Sequence, residues 1–334
     1  MEKERLLKII RRESDGTVWS RVSVNPLIYE LKRVEFDTLA ERSLHVVFTP
    51  SYWNGRKERV YKDSWGCLWH DPGNWMVGQV IEYPLKDWND FKKFSVPSFE
   101  EYEDLYRMFR EAPELRKKKE PVSLYIEHGF FFLRLTYLRG FESLMIDIAE
   151  EQPELEKLCE MITEYWLNVL KLSLVAKPDI VYFGDDLGIQ NSLPVSPSAW
   201  RKYIKPYYKR IFSFLRENNV EVYLHSDGWI LDIIPDLIEC GVTVINPQDA
   251  VNGIENLKRL CFNKIAIDLD IDRQHITFSK SPEEIDSYIR YCIEMLGSAK
   301  GGLFLTFDAY PGTPPENVIA VMKAMEKYHN LLVK

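Results

Sequence analysis

The sequence predicts an α/β protein with a (β/α)8 barrel, also called a TIM barrel, and three observations support this fold class. Short apolar runs alternate with longer amphipathic runs along most of the chain. Eight short runs can be distinguished, and eight parallel strands close such a barrel. The length of 334 residues suits one large barrel, and no GxGxxG or GxxxxGKS/T motif follows a strand, which disfavours an open doubly wound sheet.

The predicted strands are short, apolar and rich in β-branched or aromatic residues, which is typical of strands covered on both faces. They are Leu44–Phe48, Arg59–Lys62, Val122–Ile126, Ile180–Phe183, Glu221–Leu224, Val242–Ile245, Ile265–Ile267 and Leu303–Thr306. The second of these carries the weakest pattern.

The predicted helices place apolar residues at helical spacing and have recognisable start or stop signals. Ser196 begins a Ser-Pro-Ser cap, Gly241 follows the end of a short helix, and Ser-Pro-Glu-Glu places acidic residues in a first turn. The helices are Phe141–Leu174 (broken near Pro153), Ser196–Glu217, Trp229–Cys240, Ile254–Cys261, Ser281–Leu296 and Pro314–His329.

Two segments are too long to be simple loops between a strand and a helix. Residues 1–43 are predicted to form an N-terminal helical extension, and residues 64–120 an inserted lid that is rich in tryptophan. With these two additions, the whole chain (1–334) is interpreted as a single barrel domain.

The composition excludes several classes of protein. A net charge of −8 disfavours binding to nucleic acids or to anionic membranes. The charged N-terminus lacks the apolar core of a secretory signal, and no run of 18 uncharged apolar residues predicts a membrane span. Five scattered cysteines without a CxxC pair disfavour a zinc ribbon, an iron–sulfur cluster and a disulfide scaffold, and they favour a cytoplasmic protein with reduced thiols.

Ionisable and polar residues follow most of the predicted strands. In a (β/α)8 barrel the chemistry takes place at the carboxyl ends of the strands, so these residues are predicted to converge there. Carboxylates that share one mouth repel each other, which suits either acid/base chemistry or a bound cation. The residues concerned are Asp63, Asp185, Asp186, His225, Asp227, Gln248, Asp308 and Tyr310.

Some of these residues also have structural interpretations. Asp185 is also interpretable as the cap of a following turn, which makes Asp186 the better functional candidate. His225 and Asp227 point the same way if the strand continues, because side chains alternate with a period of two. The alternative interpretation of His225 is a hydrogen-bonded structural residue, and that of Asp308 is a loop cap.

Three runs of sequence together resemble the uroporphyrinogen decarboxylase superfamily. They are FGDDLGIQNSLPVSPSAWRKYIKPYYKRIF, VYLHSDGWILDIIPDLIECGVTVINPQ and TPPENVIAVMKAMEKY. The resemblance covers roughly residues 40–330 and is strongest from Leu138 onward. It implies a (β/α)8 barrel, and an activity that is either decarboxylation or methyl transfer involving corrinoid proteins.

The resemblance to true uroporphyrinogen decarboxylases is weak near the first strand. Those enzymes carry an arginine-rich motif close to RQAGRY, whose arginines would hold the substrate carboxylates. The corresponding stretch here is the aromatic FTPSYWNGRKERVY. Asp63 aligns with their catalytic aspartate, but the surrounding KDSWGCLW differs from their sequence.

A second branch of the superfamily, the methylcobalamin:coenzyme M methyltransferases, binds zinc through an HxC motif and a cysteine near strand eight. This chain has HSD in place of HSC, and LTFDAYPGTPPEN contains no cysteine. The resemblance therefore implies that zinc or another divalent metal, if bound, would use His225, Asp227 and Asp308 in place of thiolates.

The remaining branch moves a methyl group from a methoxy or methylamine compound to a corrinoid protein, and this is the predicted function. Asp186 or Asp227, or a metal held with His225, would polarise the leaving heteroatom. The residues predicted to contact the substrate are Tyr52, Trp53, Trp65, Asp185, Trp229, Gln248 and Tyr310, of which the aromatic ones suit a small aromatic or quaternary compound. The predicted partner is a corrinoid-binding protein, and the predicted assembly is a monomer or homodimer.

Two alternatives remain open at this stage. The first is a decarboxylase of a tetrapyrrole or small acid, which is a lyase and would use Asp63 as a catalytic residue. The second is a non-catalytic binding protein on the same barrel, because a fold does not determine a function.

Overall fold

A computed structural model describes residues 1–24, 45–48, 57–73, 78–310 and 312–333, without the side chains of residues 24 and 45–48. The strands in these ranges are β1 (Trp19–Val24), β2 (His45–Phe48), β3 (Arg59–Lys62), β4 (Leu68–Asp71), β5 (Gln79–Glu82), β6 (Ser123–Tyr125), β7 (Ile180–Gly184), β8 (Glu221–Ser226), β9 (Val244–Pro247), β10 (Ala266–Asp270) and β11 (Leu303–Asp308).

Helices follow most of the strands. The α-helices are α1 (Lys3–Ile10), α2 (Glu103–Lys117), α3 (Phe132–Arg139), α4 (Phe141–Ala149), α5 (Pro153–Ser173), α6 (Pro197–Tyr203), α7 (Lys205–Glu217), α8 (Ile234–Cys240), α9 (Asp249–Asn252), α10 (Ile254–Cys261), α11 (Pro282–Leu296) and α12 (Pro315–Tyr328). Short 3-10 helices lie at Trp88–Lys93, Phe99–Glu101 and Leu174–Ala176.

The first of two compact units comprises residues 1–3 and 57–243. Its parallel strands run in the order β6–β7–β8, with Ser123 opposite Ile180 and Ile180 opposite Glu221. Helices α5 and α7 pack against each other. Phe130, Phe183 and Phe212 form an aromatic core, with ring centroids 4.9 to 6.0 Å apart.

The second unit comprises residues 4–56 and 244–334, and its parallel strands run in the order β2–β1–β11–β10–β9. Helices α11 and α12 make the most extensive helix pair of this unit. The two units thus contain three and five parallel strands. These eight strands, which alternate with helices over most of the chain, confirm the predicted (β/α)8 class.

One of the eight parallel strands, β1, was not predicted, because it lies within a segment that was expected to be helical. Residues 1–43 were predicted to be a helical extension, and α1 agrees with that, but Trp19–Val24 is a strand that pairs with both β11 and β2. Three of the six residues in its sequence WSRVSV are polar, whereas a covered parallel strand is expected to be continuously apolar. Ser20 and Ser23 are buried all the same.

The prediction that Arg59–Lys62 is a barrel strand is also wrong. This segment pairs antiparallel with β4, which pairs antiparallel with β5, in a separate three-stranded sheet. All four residues of β3 are exposed. The insertion predicted to begin at residue 64 therefore includes β3 and begins by residue 59.

The five cysteines are buried and form no disulfide. Burial raises the pKa of the Cys67, Cys240 and Cys261 thiols to about 12. These thiols therefore stay protonated at neutral pH and are poor nucleophiles or metal ligands. Within the described ranges, no helix has both the length and the apolar character needed to cross a bilayer.

A buried ion pair joins α3 to α4 and leads to a stability prediction. Arg139 Nε donates to Asp147 Oδ2 at 2.7 Å, and Trp88 Nε1 donates to the other carboxylate oxygen at 2.9 Å. Replacing Asp147 with alanine leaves the Arg139 charge buried without its counter-ion. We expect a loss of about 3–5 kcal/mol in the free energy of unfolding, measured by urea denaturation.

The matched control is Glu294→Ala, which removes a carboxylate from the exposed pair with Arg290 on α11. That change is expected to cost less than about 1 kcal/mol. Equal losses for the two variants would contradict the assignment of a buried, stabilising pair at Asp147.

Candidate active site

His128, Asp186 and His225 form a cluster at the carboxyl ends of three neighbouring parallel strands. His128 follows β6, Asp186 follows β7, and His225 is the penultimate residue of β8. One nitrogen or oxygen from each side chain lies within 4.8 Å of those of the other two. The order β6–β7–β8 therefore assembles, from distant parts of the sequence, a group of three side chains at the edge where such folds carry their chemistry.

The contacts within the cluster are short and directed. His128 Nε2 lies 3.2 Å from Asp186 Oδ1, and His225 Nε2 lies 3.9 Å from the same oxygen. Asp227 Oδ1 lies 3.4 Å from His225 Nε2. The side chains of His128 and Asp186 are 49% and 30% exposed, so a ligand can reach them from solvent.

Backbone hydrogen bonds between the loops after β7 and β8 hold the cluster in place. Asp185 N donates to His225 O at 3.0 Å, and Asp227 N donates to Asp186 Oδ1 at 3.0 Å. Leu187 N donates to the Ser226 hydroxyl at 3.0 Å. The Asp186 carboxylate is thus oriented by a backbone N–H as well as by His128.

Two glycines allow these loops to approach so closely. A Cβ atom at Gly228, whose φ is +78°, would lie 2.3 Å from the backbone of Gly188. A Cβ atom at Gly188 would lie 2.4 Å from the backbone nitrogen of Trp229. Because both obstacles are backbone atoms, neither position can take a side chain without moving the loops.

A third glycine makes room for the His128 ring. A Cβ atom at Gly184 would lie 2.5 Å from Cδ2 of His128. Since Gly184 ends β7 and is itself buried, the imidazole packs directly over its backbone. A substitution at Gly184 would therefore displace His128 without removing any polar group from the cluster.

The cluster couples a histidine and a carboxylate of opposite charge. Burial acts to lower the pKa of His128, but the hydrogen bond to Asp186 and its charge outweigh burial and raise that pKa. Burial acts to raise the pKa of Asp186, but His128, the charge of His225 and the Asp227 N–H outweigh it and lower that pKa. Each of the two side chains therefore stabilises the charged form of the other.

Asp185, the neighbour of Asp186, lies in the interior. Its side chain is fully buried and accepts hydrogen bonds from Phe132 N at 2.5 Å, Leu133 N at 2.8 Å and Tyr208 OH at 2.6 Å. Burial raises its pKa to about 6 despite these hydrogen bonds. Asp185 accepts hydrogen bonds from the first backbone N–H groups of α3, which have no partner within the helix. This placement does not support the predicted contact with substrate.

A buried arginine bridges two further acidic side chains of this unit. Arg134, in α3, donates to Asp63 Oδ2 at 3.3 Å, and its Nη2 lies 2.9 Å from Glu127 Oε1. Its guanidinium lies over the rings of Trp65 and Tyr137, 4.8 and 5.4 Å from their centroids. The arginine side chain is only 4% exposed, which makes this network part of the interior.

Asp63 is held by three donors. In addition to Arg134, Cys67 N donates to it at 2.8 Å and Trp69 Nε1 at 2.9 Å. Trp65 donates to Glu127 at 3.0 Å and is only 2% exposed. Asp63 therefore organises the turn between β3 and β4, and Trp65 packs inside the protein and does not line an open entrance.

The remaining predicted site residues that are described lie in other places. Asp308 and Tyr310 end or follow β11 and Gln248 follows β9, so all three belong to the second unit. Tyr310 OH accepts a hydrogen bond from Arg273 Nη1 at 2.6 Å, and the same guanidinium binds Asp270 at 2.8 Å.

Of the three other aromatic residues predicted to contact the substrate, the structure describes only Trp229. Trp229, in the loop after β8, is partly buried, and its backbone N donates to Ile189 O at 2.8 Å. Tyr52 and Trp53 lie outside the described residues.

His128 and Arg134 were not among the predicted site residues. Glu127 and His128 follow the third predicted strand, where an extended chain would point only one of the two inward. The structure instead brings Glu127 to Arg134 and His128 to Asp186. An arginine within the otherwise apolar run FFFLRLTYL was the available signal for a buried ion pair.

Comparison with known families agrees with the resemblance seen in the sequence. The sequence profile described as Uroporphyrinogen decarboxylase (URO-D) matches residues 75–328, which is more than half of the chain. The chain belongs to the URO-D family. No curated protein sequence matches it at a significant level.

One solved structure shows the same fold as this URO-D family member. A structure described as a methyltransferase from Methanosarcina mazei has a TM-score of 0.70 at 15% sequence identity, over 98% of both chains. An endo-β-1,4-xylanase from Gloeophyllum trabeum gives 0.45 at 10% identity, over 95% of this chain and 98% of its own. A dihydropteroate synthase from Xanthomonas albilineans gives 0.30 at 14% identity, over 43% and 52%. The first shows a shared fold, and the other two are too distant to support an argument.

Proposed function

We propose that this URO-D family member is a methyltransferase that moves a methyl group between a small methylated substrate, a methoxy or methylamine compound, and a corrinoid protein. The observation that carries the proposal is the cluster of His128, Asp186 and His225 at the strand ends. This cluster supplies partly exposed polar groups of both charges at one point, as the departure of a poor leaving group requires.

The reaction explains why such a cluster is needed. The bond from the methyl carbon to oxygen or nitrogen breaks, and the methyl group passes to the cobalt of the corrinoid, which provides the electron pair for the new bond. The heteroatom leaves with the old bonding pair and must be protonated or coordinated, because an alkoxide or amide anion is a poor leaving group. The side chains of the cluster lie close enough together to act on one such heteroatom.

Asp227 fits a supporting role in this reaction. Its carboxylate lies 3.4 Å from His225 Nε2, and its backbone N–H orients Asp186. The aromatic residues predicted to hold the substrate, Tyr52, Trp53 and Trp229, belong to this proposal as expectations. The corrinoid is proposed to be carried by a partner protein in the cytoplasm.

The structure argues against the decarboxylase alternative at Asp63, the residue that aligns with the catalytic aspartate of the decarboxylases. Its carboxylate is occupied by Arg134, Trp69 and a backbone N–H. Arg134 in turn is buried between two carboxylates and is not free to hold a substrate carboxylate. The chain also lacks the arginine-rich motif after the first strand.

The proposal is tested by incubating the full chain with a corrinoid protein in the cob(I)alamin state and a panel of methoxyaromatic compounds and methylamines. We expect at least one compound to produce the absorption spectrum of methylcobalamin. A parallel assay measures CO2 release from uroporphyrinogen. Release of CO2 without any methyl transfer would favour a decarboxylase, and binding of panel compounds without either reaction would favour a binding protein.

A further inference from the structure

We propose that His128, Asp186 and His225 bind one divalent transition-metal ion, with Zn2+ the best match. This inference rests on the proposed function and deepens it, because the metal would act as the Lewis acid that coordinates the leaving heteroatom. The site differs from the one implied by the family resemblance. It contains His128 and Asp186, and it lies entirely within one compact unit.

The distances within the cluster are close to those of a tetrahedral site. Zinc bonds of ~2.0–2.1 Å to nitrogen and oxygen place neighbouring ligand atoms about 3.3–3.4 Å apart. His128 Nε2 and Asp186 Oδ1 are 3.2 Å apart, and His225 Nε2 lies 3.9 Å from the same oxygen. All three ligand atoms lie within 4.8 Å of one another, which is near the spacing that one ion requires.

The ligand types identify the class of metal. Two imidazoles and one carboxylate make a donor set typical of catalytic zinc and of non-haem iron, with a coordination position left open. No described cysteine belongs to the group, so the site does not favour soft metals. The side chains of His128 and Asp186 are 49% and 30% exposed, so a substrate heteroatom could reach an ion held there.

The site is organised before any ion binds. Asp227 N fixes Asp186 Oδ1, and His225 is held within β8 by pairing with Gly184. Gly184 also provides the space that the His128 ring occupies. Because the protein supplies these constraints, the ligands lose little freedom when the ion enters.

The test is direct metal binding by the full-length, metal-stripped protein. We expect it to take up one equivalent of Zn2+ in equilibrium dialysis. With Co2+ we expect the visible absorption bands of a tetrahedral or five-coordinate complex. His128→Ala and His225→Ala should each weaken Zn2+ binding by at least about 100-fold, because each removes one of three ligands.

The control variant is His70→Ala, which removes a histidine that also pairs with a carboxylate, Glu58, but lies outside the cluster. It should bind Zn2+ as the original protein does. Gly184→Ala retains all three ligands and displaces the His128 ring, so it should weaken binding by about 10-fold or more and alter the Co2+ spectrum. Circular dichroism establishes that each variant is folded.

Two results would overturn the inference. One is no stoichiometric uptake of Zn2+ or Co2+ by the original protein, and the other is unchanged affinity in the folded His128→Ala variant. Methyl transfer by metal-free protein would refute the Lewis-acid role of the ion but leave the proposed function intact. Stoichiometric binding lost in His128→Ala, without methyl transfer to any corrinoid, would leave the site intact and refute the function.

Discussion

Replacing His225 with alanine is expected to reduce the rate of methyl transfer by roughly 100- to 10,000-fold, the range for loss of a group that assists the leaving atom. His225 Nε2 lies near two carboxylates, 3.9 Å from that of Asp186 and 3.4 Å from that of Asp227. Replacing it with alanine removes the imidazole that contacts both of these acidic side chains. The measurement is the single-turnover rate of methylcobalamin formation at saturating substrate.

The loss should appear in kcat much more than in KM, because the cluster acts on the bond that breaks and not on the body of the substrate. The control is His275→Ala, which removes an exposed histidine paired with Asp272 in the second unit. That variant should keep the original rate. A folded His225→Ala protein with at least half of the original rate would show that His225 has no part in the chemistry.

Replacing Arg134 with methionine is expected to lower the free energy of unfolding by about 3–5 kcal/mol. Methionine fills much of the volume but leaves the carboxylates of Asp63 and Glu127 without the cation that lies between them. It also removes the guanidinium that lies over the Trp65 ring. Urea denaturation at pH 7 measures the effect.

The loss in the free energy of unfolding of Arg134→Met should increase as the pH rises. Burial raises the pKa of Glu127, and the charge of Arg134 is the largest influence that opposes this rise. Without Arg134 the folded-state pKa rises further above its value in the unfolded chain, so the folded state binds the proton more tightly. The variant should therefore lose the least stability below pH 4.5, the ordinary pKa of a glutamate, and progressively more as the pH rises through the folded-state pKa.

The matched control for Arg134 is Arg107→Met. Arg107 also forms an ion pair, with Asp104, and also lies over an aromatic ring, that of Tyr125, but its side chain is 46% exposed. Its replacement should cost less than about 1 kcal/mol and show little dependence on pH. Equal losses at the two positions would mean that the Asp63–Arg134–Glu127 network is not a buried, stabilising element.

The parallel strands could be predicted where the apolar pattern of the sequence agrees with the burial of the strand in the folded protein. Ile180–Gly184 and Leu303–Asp308 are largely buried strands that begin with runs of apolar residues, and this pattern is visible in the sequence. Trp19–Val24 carries two serines and an arginine, so its pairing with β11 and β2, and not an apolar pattern, identifies it as a strand. Arg59–Lys62 had the composition of a strand, but composition does not specify the sheet to which a strand belongs.

The candidate site was predictable in part for a similar reason. Asp186 and His225 follow or end clearly apolar strands, and the rule for the carboxyl ends of strands is enough to select them. His128 lies three residues beyond its strand, where the backbone no longer alternates and Gly129 adopts a φ of +77°. Its side-chain direction is set by Gly184 and Asp186, which are far away in the sequence.

The most direct test of the central claim follows a labelled methyl group from substrate to cobalt. A trideuteromethyl-labelled methoxy or methylamine compound is incubated with the protein and a corrinoid protein in the cob(I)alamin state, and the cobalamin is analysed by mass spectrometry. We predict trideuteromethyl-cobalamin with the original protein and at most about one hundredth as much with His225→Ala. Absence of labelled cobalamin across the whole substrate panel, with folded protein and active corrinoid partner, would contradict the account.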